Sequence, residues 1–530
     1  MRSFGTQGRV RPEQHYIVPR TAHVADFVTR IRAGKYIVLF APRQTGKTTF
    51  FRLALDRLVA EDPTYFPIQL NFEMYEDCTP IEFYENLIEL IREEIGTVFQ
   101  KREQAVPEAL AHFLENTHLT NQLSMRRFFR QLAEFLKNYR VVCLIDEFDG
   151  IPQAAVRGFL HVLRHIYLTD APQCPHSVGI VGVKSITQLN FDRSVSPFNI
   201  QDEFRLPNFT RQQVHELLAQ YTEEVGQAFR SEVIESLHKQ TAGQPFLVNR
   251  FAQILTDEMD IPKNEVIEMN HFATAHQRLL RERNTNIDHL RTNVRRDPRF
   301  EKLLMRIVSY ENGMLFDPDD DLMNELVTYG VITEDPDGLC EIVNPIYQHR
   351  ILQIFKPTVN GLENTYFSED TGENFRDYLT PTGELEIARL LDNFQAFIAR
   401  AGFRILQVPD TPQESVGQYL LYTYLDHFVR IVGADMFLEV QTGRGRIDLL
   451  LLHNQRKYIV ETKIWEGNRY YQSGKTQLAA YLKLEGVQEG YYVVFDHRQR
   501  PEPHAETETI DGVKIRSYVI PVTQERPAAA

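Results

Sequence analysis

The chain has only four cysteines in 530 residues. Cys78, Cys143, Cys174 and Cys340 are scattered without CxxC spacing, which argues against a disulfide framework or a cysteine zinc site and fits a reducing cytoplasm. No secretory leader is evident, and the longest apolar runs, such as Tyr36 to Phe40 and Val141 to Ile145, fall far short of the roughly 20 residues a bilayer span requires. No membrane association is expected. Positive charge is also short, with 58 Lys and Arg against 72 Asp and Glu and a net charge of −14. This excludes a surface uniformly coated for nucleic acid but allows a local basic face. The remaining composition, 43% hydrophobic and 25% charged, is that of folded protein, and the length implies three or four domains.

Near the front, an apolar run (Tyr36 to Phe40) leads into Ala41-Pro42-Arg43-Gln44-Thr45-Gly46-Lys47-Thr48-Thr49, and an amphipathic stretch follows to Leu58. Strand, loop and helix in that order turn backbone N–H groups toward a phosphate at the positive end of the helix. Lys47 is then placed to reach the β- and γ-phosphates of ATP, and Thr48 to ligate Mg²⁺. Ala41 departs from the GxxxxGK[ST] spacing by replacing its first glycine. A second apolar run, Val141 to Ile145, ends in Asp146 and Glu147, where an α/β sheet binds ligands. Asp146 would hold Mg²⁺ through water, and Glu147 would polarise the attacking water. A third run, Val178 to Val183, is followed by Lys184 and Ser185, either of which could sense the γ-phosphate.

These segments, with Tyr16-Ile17-Val18-Pro19-Arg20, Leu144 to Pro152, Ser196 to Thr210 and Thr241 to Phe246, resemble AAA-like P-loop ATPases of the STAND and archaeal type over about residues 10 to 290. The resemblance implies that Pro19 and Pro245 flank the adenine, and that Arg250, one helical turn past Pro245, serves as a second phosphate sensor or a plain ion-pair partner. Arg205 would be an arginine finger only in a ring of subunits. The helical periodicity of Arg211 to Thr222 and Ser231 to Gln240 suits a small helical lid.

Leu303 to Val308, Leu322 to Leu326 and Val331 to Val343, with the turn Asp335 to Gly338, resemble a winged helix. Its recognition helix is entered through Asp317, Asp319, Asp320 and Asp321, whereas a DNA reader should be basic. A protein partner is therefore expected at this acidic face. Lys356 to Arg376 lacks apolar period and reads as a linker.

Behind the linker, helix-like stretches (Leu385 to Ala401, Gln413 to Val432) precede strands at 437–440, 447–452 and 458–464, a helix at 472–484 and a strand at 490–495, an αβββαβ order. If His453 to Arg456 closes a two-residue hairpin, Asp448 falls opposite Glu461, with Lys463 on the face of Glu461 and Thr462 on the other. Opposed carboxylates repel, and a divalent cation removes the conflict; Mg²⁺ suits these ligands, and Lys463 could orient a water. The bland reading is a surface hairpin neutralised by Lys463.

The pattern Arg446-Ile447-Asp448, Glu461-Thr462-Lys463 and Gln477 to Tyr481 resembles the PD-(D/E)XK nuclease superfamily over roughly residues 380 to 523. The resemblance implies metal ligation by Asp448, Glu461 and the Thr462 carbonyl, with Gln477 behind Lys463 and a helical acid, Glu414 or else Glu386, completing the set. From Met436 to Arg500 ten Lys and Arg face seven Asp and Glu, and Arg444, Arg446, Arg469 and Lys475 could hold phosphates. Trp465, Tyr470 and Tyr471 offer either base stacking or core packing.

The sequence thus predicts an α/β multidomain protein. Residues 1–205 form a P-loop NTPase core with a parallel sheet, 206–285 a helical lid, 286–356 a winged helix, 357–379 a linker, 380–523 a restriction-endonuclease-like αβββαβ domain and 524–530 a disordered tail. The expected activity is an ATP-regulated, Mg²⁺-dependent nuclease acting on DNA rather than RNA, cytoplasmic and homo-oligomeric; family resemblance alone adds phage defence or mobile-element biology. The alternatives are a regulatory ATPase scaffold whose nuclease-like domain only binds nucleic acid or a partner, and a DNA motor with an auxiliary nuclease.

Overall fold

Alternating hydrophobic runs and amphipathic stretches in the front of the chain build a layered α/β unit. The computed structural model describes residues 2–6, 10–42, 44–169, 173–182, 201–282, 285–309, 314–354, 378–405, 413–432, 434–442, 445–454, 456–498 and 502–522. Two compact units result, Met1–Leu217 with Thr328–Gly330, and Leu218–Val327 with Val331–Ala530.

In the first unit, β1 (Ser3–Phe4) and β2 (His15–Tyr16) pair in parallel ahead of the main sheet. That sheet contains β3 (Tyr36–Phe40), β4 (Tyr65–Asn71), β5 (Arg140–Asp146), β6 (Ser177–Gly182) and β7 (Gln201–Glu203), all parallel, in the order β4-β5-β6-β3-β7. Strands buried on both faces need continuous apolar sequence, and β5 and β6 have it. Alternation along β3 sends Ile37 and Leu39 into a core with α1 (Thr21–Arg32) and α2 (Lys47–Glu61). Tyr36 and Val38 point instead into a core with α3 (Pro80–Lys101), α4 (Glu108–Asn116), α5 (Gln122–Phe135) and α6 (Gln153–Tyr167). The long α3 starts at a reciprocal cap, in which the Glu82 N–H donates to Thr79 Oγ1 and the Thr79 N–H to Glu82 Oε2. The sheet presents the carboxyl ends of β3 and β5, where the phosphate loop and Asp146 stand.

The chain passes along α7 (Arg211–Val225) into the second unit, with α8 (Ser231–Thr241), α9 (Pro245–Gln253), a π-turn at Ile254–Glu258, α10 (Met269–Arg281), α11 (Thr285–Arg295) and α12 (Pro298–Ser309). A small antiparallel sheet follows, β8 (Met314–Leu315), β9 (Ile332–Glu334) and β10 (Leu339–Ile342) in the order β8-β10-β9, with α13 (Asp321–Thr328) and α14 (Pro345–Ile354). Asp335 Oδ1 accepts from the N–H groups of Asp337 and Leu339 and fixes the turn between β9 and β10. Most of the 357–379 linker and the 524–530 tail lie outside the described residues.

Then come α15 (Ile387–Ile405), α16 (Gln413–Val432), β11 (Asp435–Thr442), β12 (Gly445–His453), β13 (Arg456–Ile464), α17 (Asn468–Leu484), β14 (Glu489–Asp496), β15 (His504–Ile510) and β16 (Val513–Pro521). The six strands form one mixed sheet in the order β11-β12-β13-β14-β16-β15, parallel from β13 through β14 to β16 and antiparallel elsewhere. Helices lie close on it at two glycines. A Cβ on Gly474 of α17 would meet the Tyr492 hydroxyl at 2.0 Å, and one on Gly417 of α16 the Phe495 ring at 2.5 Å.

Within this unit α10 packs on the edge strand β11. Phe437 stacks on Phe272 and His276, and the Gln277 amide donates to the Ala434 carbonyl at 2.7 Å. Buried beside Gln240, Phe251 and His349, His276 is held down at about 3 by desolvation and, second, by the charge of His349. The unfolded chain takes up this proton near 6.5 and the folded one does not. Stability from His276 is therefore full above that value and lost as pH falls toward the folded pKa. Asp435, raised to about 6 by burial, contributes a slope of opposite sign that a His276 variant shares. His276→Phe is expected to gain about 2 kcal/mol over wild type between neutral pH and pH ~5. The measurement is the difference in urea midpoint at the two pH values.

Candidate functional site

The phosphate loop grows from the end of β3, where the Ala41 N–H donates to the Gly182 carbonyl at 3.3 Å and ties the loop to β6. Gln44 and Gly46 take left-handed backbone, φ 62° and 83°, and α2 starts at Lys47. Glycine enters that region without a Cβ penalty, so Gly46 lets the chain wrap and aim its N–H groups inward. Thr45 is buried and its hydroxyl donates to the Pro42 carbonyl at 3.0 Å. Buried Lys47 donates from Nζ to the carbonyls of Ala41 (2.6 Å) and Pro42 (3.1 Å), so its cation spans the loop that would surround a phosphate. The Thr48 hydroxyl donates to Asp146 Oδ2 at 3.1 Å; Thr49, next along α2, is half-buried. Asp146 Oδ1 accepts from the Glu147 N–H at 3.0 Å, and Glu147 sits in left-handed backbone at φ 50°. Lys47, Thr48, Asp146 and Glu147 are thus brought together, and this donor set fits a triphosphate with its divalent ion.

Sequence reasoning singled out Pro19, which is exposed, and passed over its neighbour. Arg20 is buried, donating to the Pro207 carbonyl at 2.6 Å and toward the Thr45 carbonyl at 3.5 Å, with its guanidinium over the Phe209 ring at 4.7 Å. Desolvation lowers it to about 10. Its signal was local, an arginine at a helix N-cap with left-handed backbone, yet nothing local gives its partners. Arg43 and Ser185 lie outside the described residues. Pro245 and Arg250 belong to the second unit. Pro245 opens α9, capped by Gln244, whose side chain accepts from the Leu247 N–H. Arg250 is paired with Glu282 and Glu258, and Glu282 first of all raises its pKa. Arg205 is exposed and lies 3.5 Å from Glu203.

On the six-stranded sheet, β12 and β13 pair as a tight hairpin from His453↔Arg456 to Leu449↔Val460. The ladder opens at Asp448. Its Oδ2 accepts from the Thr462 N–H (2.7 Å) and hydroxyl (2.9 Å), so the carboxylate turns between the strands. Thr462 is buried, and its hydroxyl accepts from Gln418 Nε2 of α16 at 3.2 Å. Sequence reasoning missed Gln418, which carries no signal beyond its place on a predicted helix. Glu461 is 2% exposed; Oε1 lies 3.3 Å from Lys463 Nζ, while Oε2 is buried without a hydrogen-bond partner. Desolvation, then the charge of Asp448, pushes Glu461 well above the usual carboxylate range, against the opposing pull of Lys463 and of the Asp448 N–H. A buried carboxylate oxygen with no donor, beside a second carboxylate, fits a divalent cation. Among the described residues, however, no group of three or more His, Cys, Asp or Glu gathers.

Gln477 donates to the Tyr481 hydroxyl at 2.7 Å, and among the described contacts none joins it to Lys463. The side chains of Glu414, Arg444 and Arg446 lie outside those described. Glu386 pairs with Arg389 and lines a groove of about 850 Å³ with Arg456 and Glu489, at the opening residues of β13 and β14 rather than at Glu461. The expectation that Lys475 holds phosphate is corrected. Lys475 is 1% exposed, ion-paired with Glu506 and Glu508, and its Nζ lies 4.4 Å from the Tyr471 ring centre. Arg469 is exposed on the first turn of α17.

A family model described as AAA-like domain matches residues 6–349, and one described as a domain of unknown function matches 384–499. Among solved structures, a Walker-type ATPase of Pyrococcus abyssi is 16% identical, covering 66% of this chain and 99% of its own, with a TM-score of 0.47. The Aeropyrum pernix ORC1 protein in complex with DNA is 14% identical, covering 63% and 92%, with a TM-score of 0.31. A Thermotoga maritima RuvB mutant is 13% identical, covering 64% and 98%, with a TM-score of 0.34. No curated protein matches. No described helix is long and apolar enough to cross a membrane. With a phosphate loop facing Asp146 across a parallel sheet, and a family model matched over more than half its length, the chain belongs to the AAA-like domain family.

Proposed function

We propose that this protein is an ATP-regulated, Mg²⁺-dependent nuclease, with an ATPase core (1–205), a lid (206–285), a winged helix (286–356) and a nuclease-like domain (380–523). The observation that carries the nuclease reading is the buried Glu461 Oε2 without a donor, beside Asp448 and Lys463.

At the front site, Lys47 would exchange the Ala41 and Pro42 carbonyls for the β- and γ-phosphates of ATP, Thr48 and Asp146 would hold Mg²⁺, and Glu147 would orient the attacking water. At the back site, Asp448, Glu461 and the Thr462 carbonyl would hold a second Mg²⁺, which would supply Lewis-acid polarisation of a phosphodiester. Thr462, backed by Gln418, fixes the Asp448 carboxylate; Lys463 orients water toward phosphorus. A nucleotide regulates such a site only by favouring one arrangement of the chain over another. The packing of α10 on β11, the strand next to the one bearing Asp448, gives the lid a mechanical connection to the cleavage site. The acidic approach to α13 suits a protein partner, and STAND-like assembly suits a homo-oligomer.

The test is cleavage of single-stranded, duplex and branched DNA by wild type and Lys463→Ala in Mg²⁺, each with and without ATP. Wild type is expected to cleave in an ATP-dependent manner and the variant not to cleave. Equal inactivity of both on every substrate would leave the regulatory scaffold as the better reading.

A further inference from the structure

We infer that Arg498, held over the Trp465 ring by Asp496, is a stacking platform for an unpaired nucleobase beside the proposed cleavage site. This deepens the nuclease reading and rests on it for the identity of the ligand.

Side chains at alternate positions share a strand face, so Glu461 and Lys463 point to one side of the sheet, and Trp465 is the first residue past the end of β13. It stands two positions after Lys463 in the chain. Its backbone N–H donates to the Phe495 carbonyl at 2.9 Å, which holds it against the end of β14. Asp496 closes β14 there, is fully buried, and accepts from Arg498 Nε (3.0 Å) and Nη2 (2.7 Å). The guanidinium carbon of Arg498 lies 4.6 Å from the Trp465 ring centre, and the ring is backed by Tyr471 at 5.3 Å. Arg498 thus lies over Trp465, which packs at a tilt against Tyr471, and the arginine side chain is 46% exposed.

The arrangement decides what this arginine offers. A phosphate-binding arginine presents an N–H edge, but here the Nε/Nη2 edge is taken by Asp496, which also offsets much of the charge and leaves only the Nη1 end. The guanidinium plane is held in orientation by those two bonds, and the side chain stays partly exposed, so its outer face is offered to a ligand. Guanidinium planes and aromatic rings stack on nucleobases. Bases in an intact duplex have both faces covered by neighbours, so only a single strand, or a nucleotide splayed from a duplex, presents a free face. The substrate class that follows is nucleic acid with unpaired bases next to the scissile phosphodiester.

The experiment measures binding of the full chain, without divalent metal, to a labelled oligonucleotide of about 20 nucleotides as single-stranded DNA, single-stranded RNA and duplex DNA. Arg498→Ala and Trp465→Leu are expected to weaken single-strand binding about tenfold and to leave duplex binding within about twofold. Arg498→Lys, which keeps the charge and loses the plane, is expected to behave like Arg498→Ala. Trp465→Phe, which keeps an aromatic face, is expected to bind like wild type, so a general folding defect would be exposed by its loss. Wild-type affinity in Arg498→Lys, or unchanged single-strand binding in Arg498→Ala, would overturn the platform. Cleavage in Mg²⁺ is scored separately. Lys463-dependent cleavage with Arg498-independent binding removes the platform alone, whereas Arg498-dependent single-strand binding without any cleavage removes the nuclease reading and leaves the platform standing.

Discussion

Lys47→Ala lowers ATP turnover by at least about a hundredfold, the cost of removing one preorganised charge from a phosphoryl-transfer site. In this chain the cation is stored inside the loop, bonded to the Ala41 and Pro42 carbonyls. Those carbonyls hold Lys47 within the loop, and on the proposed reading they would be exchanged for phosphate oxygens on ATP binding. The Thr48 to Asp146 bond is independent of the lysine, and alanine is a good helix former at the first position of α2, so the variant retains its loop and sheet. The comparison variant is Glu147→Gln, expected to bind a fluorescent ATP analogue like wild type and to release phosphate poorly. Phosphate release at saturating ATP, together with analogue binding, is the measurement. Turnover in Lys47→Ala within a few-fold of wild type would end the assignment of this loop to phosphate. If nucleotide regulates cleavage, Lys47→Ala also removes the ATP dependence while leaving Glu461 and Lys463 untouched.

How legible these sites were depends on the range of the interaction that makes each residue matter. The strands at 36–40, 140–146 and 177–182 and the hairpin from His453 to Arg456 follow from apolar runs and turn chemistry, which act over a few residues. The β15 to β16 hairpin carried an equally local sign that went unread: Asp511-Gly512, both at positive φ, is a tight-turn dipeptide between Ile510 and Val513. Lys475 was also readable. It stands on the same helical stripe as Tyr471, Leu478 and Leu482, all buried, so its burial follows from the period of α17 even though its charge suggested a surface. Arg20 and Gln418 were not readable. Their partners, Pro207 and Thr45 for one and Thr462 for the other, are set by how distant elements pack, and no spacing encodes that. The turn of Asp448 toward Thr462 is of the same kind, because ideal strand alternation predicts facing carboxylates and the ladder departs from the ideal where it opens.

Glu461→Gln separates activity from stability in a way that a merely structural ion pair would not. In wild type the carboxylate is buried with one oxygen bonded to no donor and with Asp448 nearby, so its charge is costly to keep in the fold. Glutamine has nearly the same shape and no charge. Without metal at neutral pH the variant is expected to be more stable by about 1 kcal/mol, the relief of desolvation and repulsion being partly offset by loss of the Lys463 contact. In Mg²⁺ the order reverses. Wild type gains stability because its folded form alone presents the pair of carboxylates, whereas the variant, holding one of them, gains little. On the proposed nuclease reading, cleavage is expected to fall by roughly a thousandfold, since several kcal/mol of charge stabilisation at the phosphodiester would depend on that ligand. Asp448→Asn shares the loss of activity but not the gain in stability, because Asp448 Oδ2 accepts two bonds from Thr462 that an amide serves less well. The measurements are urea midpoints with and without Mg²⁺, beside cleavage rates for the same proteins. A Glu461→Gln protein that Mg²⁺ stabilises as much as wild type would place the metal elsewhere, and one destabilised without metal would make Glu461 a structural partner of Lys463.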